Sequence, residues 1–120
     1  MDKVTVIEHK GKKIIFQDLS NSRDAKTNIG IFAATQNVIE QEKEKSVLLL
    51  TDVTNAHYDI EAADFMKKFS VAVTPYMKAS AAVGVSGIKR ILLATLLKLT
   101  GRDIKLFDST EQAKDWLVEQ

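Results

Sequence analysis

The sequence predicts an α/β domain whose mostly parallel β-sheet begins with an antiparallel hairpin. Two short β-rich runs flank Gly11 near the N-terminus, which is the pattern of a hairpin. Continuous apolar runs, "SVLLL" at 46–50 and "ASAAVGV" at 79–85, are typical of strands covered by helices on both faces. Segments with helical periodicity alternate with these runs, which favours a parallel sheet with crossover helices.

The first elements are the hairpin and a long amphipathic helix. Apolar and polar residues alternate over 4–9, "KGKK" supplies the turn, and "KIIFQD" at 13–18 predicts the second strand. Apolar residues then recur at helical spacing over 23–43. Gly30 lies within this helix, where glycine costs about 1 kcal/mol relative to alanine, so we expect it to pack closely on a neighbour. The N-cap candidates are Ser20, Asn21 and Ser22.

The rest of the chain continues the alternation of helix and strand. After "SVLLL" the predicted elements are a loop at 51–59, a helix from Ile60 to about Val73 that Pro75 ends, the strand "ASAAVGV", a helix over 87–100 followed by Gly101 as C′ residue, the strand "DIKLF" at 103–107, and a final helix capped by Ser109. The predicted order is ββαβαβαβα, with four helices in one domain over residues 1–120.

Composition and charge argue against several classes of protein. Lys plus Arg number 17 and Asp plus Glu number 16, so the net charge is +1, which argues against nucleic acid as a partner. The absence of cysteine excludes disulfides, thiolate metal sites and a cysteine nucleophile. We see neither a secretory signal nor an apolar segment long enough for a transmembrane helix. A cytoplasmic protein without a cofactor is the prediction.

The first candidate site is the turn "GVSGIKR" at 84–90, where a strand leads into a helix. Free amides at a helix start bind anions, and the ligand-binding candidates here are Ser86, Gly87, Lys89 and Arg90. The stretch lacks the glycine and Lys-Ser/Thr spacing of a phosphate-binding loop. A structural role is therefore preferred, with Gly84 permitting close approach and Ser86 as N-cap.

The second candidate site is the loop "TDVTNAHYD" at 51–59, at the carboxyl end of a predicted strand, where ligands gather in α/β sheets. Its ligand-binding candidates are Asp52, Thr54, Asn55 and His57. A histidine beside Asp52 or Asp59 can serve as a general base or metal ligand, but the other histidine, His9, is expected at the opposite end of the sheet. Loop capping is favoured, so no catalytic residue and no metal site are predicted.

The helix over Ile88–Thr100 is apolar on more than one face and must bury the excess surface. Its second face, the candidate interaction surface, consists of Leu93, Leu96 and Leu97. We expect either burial within the domain or contact with a protein partner, most simply a homodimer. Cations along this helix would also suit contact with a membrane surface, which is the less favoured interpretation.

The C-terminal half carries a family resemblance. The stretch "VGVSGIKRILLATLLKLTGRDIKLFDSTEQAKDWL", preceded by "PYMKASAA", resembles bacterial SpoIIAA-like proteins of the STAS superfamily. Their strand ends in Val-Gly-Val-[ST]-Gly, and "Gly-Arg-x-[hydrophobic]-x-x-Phe-Asp" and "Ala-x-x-Trp-Leu" follow. The resemblance implies a SpoIIAA-like mixed sheet flanked by helices, and a role in regulation or binding.

The chain departs from this family at one motif. Anti-sigma-factor antagonists of the superfamily carry a phosphorylatable serine in an Asp-Ser-[ST]-Gly motif, whereas this chain reads "DVTNAHYDIEAA" at 52–63. The resemblance therefore predicts a non-catalytic regulatory or protein-interaction domain without that switch. The alternative is a domain that binds a small ligand, an anionic nucleotide or a lipid, at the carboxyl ends of the strands.

Overall fold

A computed structural model describes residues 3–87, 90–91 and 103–120. Within these ranges the chain forms five strands and three α-helices. They are β1 (Val4–His9), β2 (Lys12–Asp18), α1 (Ala25–Ile39), β3 (Val47–Asp52), α2 (Ile60–Val73), β4 (Met77–Val83), β5 (Lys105–Phe107) and α3 (Thr110–Val118). The predicted helix over 87–100 lies largely outside the described residues; of it, Gly87, Arg90 and Ile91 are described and helical.

The five strands form one mixed sheet in the order β1-β2-β3-β4-β5. The β1–β2 pair is antiparallel and the other three pairs are parallel, which confirms the predicted hairpin and the mostly parallel sheet. The hairpin turn consists of Lys10 and Gly11, both with positive φ. This backbone is the one that matches the twist of two antiparallel strands.

The two faces of the sheet are covered by different helices. On one face, Ile15 and Leu49 pack with α1 and α2 residues such as Phe32 and Phe69. On the other face, residues of β2, β3 and β4 pack with Ala113 and Leu117 of α3. Alternate strand residues point to opposite faces, so the continuous apolar run of β3 supplies both cores.

The first helix differs from its prediction. α1 begins at Ala25 and not at Arg23, and its N-cap is Asp24, whose side chain accepts a hydrogen bond from the Thr27 amide at 2.8 Å. None of the predicted caps, which were Ser20, Asn21 and Ser22, holds that position. The helix also ends at Ile39 rather than Lys43. The Asp24 carboxylate additionally accepts from the Thr27 hydroxyl, and this double contact fixes the start of the helix.

The prediction that Gly30 packs closely on a neighbour is wrong. Gly30 is exposed, and among the described residues no atom outside its own helical turns lies within 4 Å of the position a Cβ would take. The glycine therefore weakens the helix without permitting a close contact.

The other helices follow the sequence closely. α2 starts at the predicted Ile60, after Asp59, whose side chain accepts from the Ala62 amide, and it buries Ala62 and Phe69. A single 3₁₀ turn containing Pro75 follows it. Ser109 caps the amide of Gln112 at the start of α3, as its spacing indicated. No helix in the described ranges is long and apolar enough to cross a bilayer.

Candidate functional site

A cavity of about 410 Å³ lies between the sheet and the α1–α2 layer, at the carboxyl ends of β2, β3 and β4. Its volume is in the range of small-molecule sites in proteins. Most of its wall is apolar and comes from both helices, the sheet and the residue before β5, including Leu19, Phe32, Leu49, Met66, Phe69 and Ile104. The cavity is therefore placed where ligands of open α/β sheets bind.

The floor of the cavity carries three polar side chains, one from each central strand. They are Gln17 of β2, Thr51 of β3 and Ser80 of β4. Gln17 lies opposite Thr51 in the parallel register, and its Nε2 donates to Thr51 Oγ1 at 3.3 Å. Ser80 Oγ donates to the Met77 sulfur at 3.4 Å. These residues occupy inward positions that are apolar elsewhere on the same strands, as at Ile15 and Leu49.

Gln17 has an unpaired atom at this floor. The residue is only 2% exposed, and its Oε1 has no hydrogen-bond partner among the described residues. Buried polar groups in folded proteins are nearly always paired. Since Gln17 also lines the cavity, its unpaired oxygen is the candidate acceptor for a molecule bound there.

Aromatic side chains form one wall. The Phe32 ring lies 5.2 Å from the Phe69 ring and 6.1 Å from the Tyr58 ring, centroid to centroid. Burial raises the pKa of Tyr58 to about 12, because the phenolate would lose its hydration in these surroundings. The wall is thus apolar in character and Tyr58 stays uncharged at neutral pH.

The loop between β3 and α2, residues 53–59, closes one side of the cavity and is fixed to α1. The buried Asn28 donates from Nδ2 to the carbonyl of His57 at 2.7 Å, and the His57 amide donates to the Ser22 carbonyl at 2.9 Å. Ala56 of the same loop is 2% exposed and lines the cavity. His57 is exposed and also lines the cavity, so its imidazole lies at the solvent side.

The other candidates of this loop make capping contacts. Asp52 Oδ1 accepts from the amide and the hydroxyl of Thr54, at 3.0 and 2.7 Å. Asn55 has a φ of 55° and donates to the Asn21 side chain at 3.3 Å. Among Asp52, Thr54, Asn55 and His57, the cavity wall includes His57 alone. The favoured interpretation of this loop, capping by Asp52 and Asn55, agrees with these contacts.

The turn after β4 touches the same loop. Gly84 has a φ of 83°, and a Cβ on it would lie 2.6 Å from the Thr54 amide nitrogen, so the predicted close approach at Gly84 is confirmed. The Ser86 carbonyl accepts from the Arg90 amide at 2.8 Å, which is the first bond of a helix. The structure therefore brings the two predicted candidate regions together at one end of the sheet.

The Arg90 side chain is held by the protein itself. Its Nε donates to the Val85 carbonyl at 3.1 Å, and its Nη2 lies 3.3 Å from Asp108 Oδ1. These contacts join the turn after β4 to the loop after β5 and use two of the five N–H groups of the guanidinium. Gly87 is exposed at the helix start. The remaining candidates lie outside the described residues: Lys89, Leu93, Leu96 and Leu97.

His9 lies at the opposite end of the sheet, as expected. Its Nε2 is 2.8 Å from Asp115 Oδ1 of α3, and the Lys10 amine is 3.1 Å from the same oxygen. The hydrogen bond from His9, followed by that from Lys10, holds the pKa of Asp115 below its usual value. The two histidines therefore do not share a site.

The ligand-binding candidates predicted from the sequence that the structure describes lie at the same end of the sheet as the cavity, but most of the residues that line the cavity were not among them. Gln17, Thr51 and Ser80 were not singled out, and neither were the aromatic side chains of α1 and α2 as a binding wall. The available signal was the pattern of the strands, because each of these polar residues interrupts an inward apolar series. Such an interruption marks a polar group that needs a partner.

Comparisons with known proteins add no family to this description. No family model, no curated protein and no solved structure matches the chain. The resemblance to SpoIIAA-like proteins thus rests on the sequence motifs quoted above.

Proposed function

We propose that this domain binds a small, largely apolar molecule in the cavity beside β2, β3 and β4, and that it acts by binding and not by turnover. The single observation that carries the proposal is the cavity of about 410 Å³ with its apolar wall and polar floor. Apolar walls supply affinity through the hydrophobic effect, and a few convergent polar groups orient the ligand. The alternative predicted from the sequence is a domain that binds a small ligand. We keep that alternative, with a ligand that is mainly apolar.

The character of the lining residues supports binding over catalysis. Among the described lining residues, His57 and Tyr58 are the titratable side chains. Tyr58 keeps its proton up to high pH because its pKa is raised to about 12, and the carboxylate of Asp52 faces Thr54. A hydrolytic enzyme with a nucleophile, a base and a group that orients the base needs the three within hydrogen-bond reach of one another. The described contacts of Tyr58 and Asp52 do not form such a set, which supports binding.

Titration with pyrene tests the proposal. Pyrene is an apolar hydrocarbon without hydrogen-bonding groups, and its emission bands report the polarity around it. We expect saturable binding of one pyrene per chain with an apolar emission pattern. Ala82→Met places a larger side chain on the cavity wall and should weaken pyrene binding by about tenfold or more, because the added volume takes the space of the ligand.

Ala33→Met is the matched control, since Ala33 is exposed on α1 and does not line the cavity. It should bind pyrene as the unmodified protein does. Circular dichroism and thermal melting confirm that both variants are folded. Either non-saturable binding by the unmodified protein or equal affinity in a folded Ala82→Met variant would overturn the proposal.

A second proposal keeps the regulatory role through protein contacts that the sequence resemblance predicts. The observation that favours it is the exposure of two apolar side chains on α2, Ile60 at 91% and Val71 at 66%. They are separated by about three helical turns and lie on the same side of the helix. Light scattering tests the homodimer form: twice the monomer mass is expected, Val71→Glu should give the monomer, and a monomeric unmodified protein would contradict it.

A further inference from the structure

We infer that the cavity selects an uncharged amphiphile, an apolar body with one hydroxyl group that pairs with the Gln17 amide, over carboxylates and phosphates of the same chain length. The inference rests on the proposed function and specifies the chemistry of its ligand. Three features support it: the unpaired amide, the charges around the cavity and the character of its walls.

The amide of Gln17 favours a ligand whose polar group can donate a hydrogen bond. One N–H of its Nε2 donates to Thr51 Oγ1, while its Oε1 is buried and lacks a partner among the described residues. A carboxylate or a phosphate dianion has only acceptors, so it cannot donate to this oxygen. A hydroxyl group carries a proton that it can donate to this oxygen, and it has no charge.

The charges around the cavity disfavour an anion. No lysine or arginine belongs to the described part of its lining. Arg90, the described cation of the anion site that the sequence suggested, donates to the Val85 carbonyl and pairs with Asp108. A buried anion without a counter-ion loses its hydration and gains little in return. His57 is exposed, so it lies at the solvent side of the cavity.

The walls fit an alkyl or ring body. Phe32 and Phe69 present apolar rings, and Met66 adds a flexible thioether that adapts to irregular shapes. The burial that raises the pKa of Tyr58 to about 12 marks the same wall as a poor environment for charge. The cavity thus combines the unpaired oxygen of Gln17 with a mainly apolar enclosure.

Competition against bound pyrene tests the inference. Decan-1-ol, decanoate and decyl phosphate share one chain and differ in the head group. At pH 7.5 we expect decan-1-ol to displace pyrene at a concentration at least about tenfold lower than either anion, the difference typical of one buried hydrogen bond. Equal displacement by all three, or better displacement by an anion, would overturn the inference while leaving pyrene binding, and so the proposed function, intact.

Variants at Gln17 identify the residue responsible. Gln17→Met keeps the length of the side chain and removes both polar groups. The preference for decan-1-ol over the two anions, each measured by displacement of pyrene from the same variant, should therefore fall by about tenfold. Gln17→Leu repeats the test with a second apolar side chain, and Gln112→Leu, exposed on α3, is the matched control. An unchanged preference in either folded Gln17 variant would contradict the role of Gln17. If neither variant folds, the competition series on the unmodified protein still tests which head group the cavity selects.

Discussion

At Gly84 the backbone takes a conformation that other residues rarely adopt and approaches another segment closely. Its φ is 83°, and a Cβ would lie 2.6 Å from the amide nitrogen and 2.7 Å from the Cα of Thr54. We therefore expect Gly84→Ala to lower the free energy of unfolding by about 2 to 4 kcal/mol, from backbone strain and overpacking together. Urea denaturation measures this value.

Gly30→Ala is the contrasting control, because Gly30 lies in a helix with open space around it. Alanine there should raise the free energy of unfolding by about 0.5 to 1 kcal/mol. A Gly84→Ala variant as stable as the unmodified protein would show that the β4 turn does not approach Thr54 as described.

The ionisation of Tyr58 reports the polarity of the cavity wall. In a Tyr76→Phe background, phenolate absorbance should show a midpoint near pH 12 in the folded protein and near 10 in urea. The pKa of Tyr58 is higher in the folded than in the unfolded protein. The contribution of protonated Tyr58 to the free energy of unfolding is therefore complete below pH 10 and is lost as the pH rises towards 12. A folded-state midpoint near 10, with native circular dichroism, would indicate a solvated Tyr58.

Single residues were predictable where local geometry determines them. The close approach at Gly84 follows from a glycine between a strand and a helix, and the Ser109 cap follows from its spacing to Gln112. Gly30 was misjudged because a helical glycine does not itself reveal whether a neighbour is near. Gln17 was missed because strand alternation shows which face a residue occupies, but not whether that face meets a packed core or a cavity.

At the scale of elements, Asn28 joins α1 to the loop at 53–59 through the His57 carbonyl at 2.7 Å. We expect Asn28→Ala to lower the free energy of unfolding by about 1 to 3 kcal/mol, because it leaves that carbonyl unpaired. Amide hydrogen exchange in residues 53–59 should become faster. Asn37→Ala, on the exposed side of the same helix, should change neither quantity by much; unchanged exchange in the Asn28 variant would mean that other contacts hold the loop.

Most elements were predictable because their apolar patterns are strong. The strand β3 and the helix α2 begin and end close to the predicted positions. The start of α1 could not be predicted, because the five consecutive polar residues at 20–24 include four that can cap a helix. The double contact between Asp24 and Thr27 decides among them. The helix over Ile88–Thr100 and its surface of Leu93, Leu96 and Leu97 remain a prediction outside the described residues.

At the scale of the whole molecule, His9 of the hairpin and Asp115 of α3 join two ends of the chain at 2.8 Å. Hydrogen bonds from His9 and Lys10 lower the pKa of Asp115 in the folded protein. The stability that these bonds contribute is therefore present above the pKa that Asp115 has in the unfolded protein, and it is lost as the pH falls through the pKa of Asp115 in the folded protein. Asp115→Asn should therefore lose less stability between pH 5 and pH 2 than the unmodified protein. Parallel declines in urea midpoint would contradict this coupling.

The mostly parallel sheet with its antiparallel hairpin could be predicted from the sequence, while the order of its strands and its cavity could not. Alternation of buried strands and amphipathic helices leaves few arrangements other than a mostly parallel sheet, and the carboxyl ends of its strands are then the expected site. The cavity depends on how α1, α2 and the loop at 53–59 pack together, which involves contacts distant in sequence such as that of Asn28 with His57.

Nuclear magnetic resonance of the labelled protein with pyrene tests the central claim most directly, because it locates the ligand. Chemical shift changes should saturate and concentrate at residues of the cavity, foremost Leu49, Thr51, Ala56 and Ala82. Residues of α3, which covers the other face of the sheet, should change little. Changes centred on α3, or no saturable change at all, would contradict a ligand site between the sheet and the α1–α2 layer.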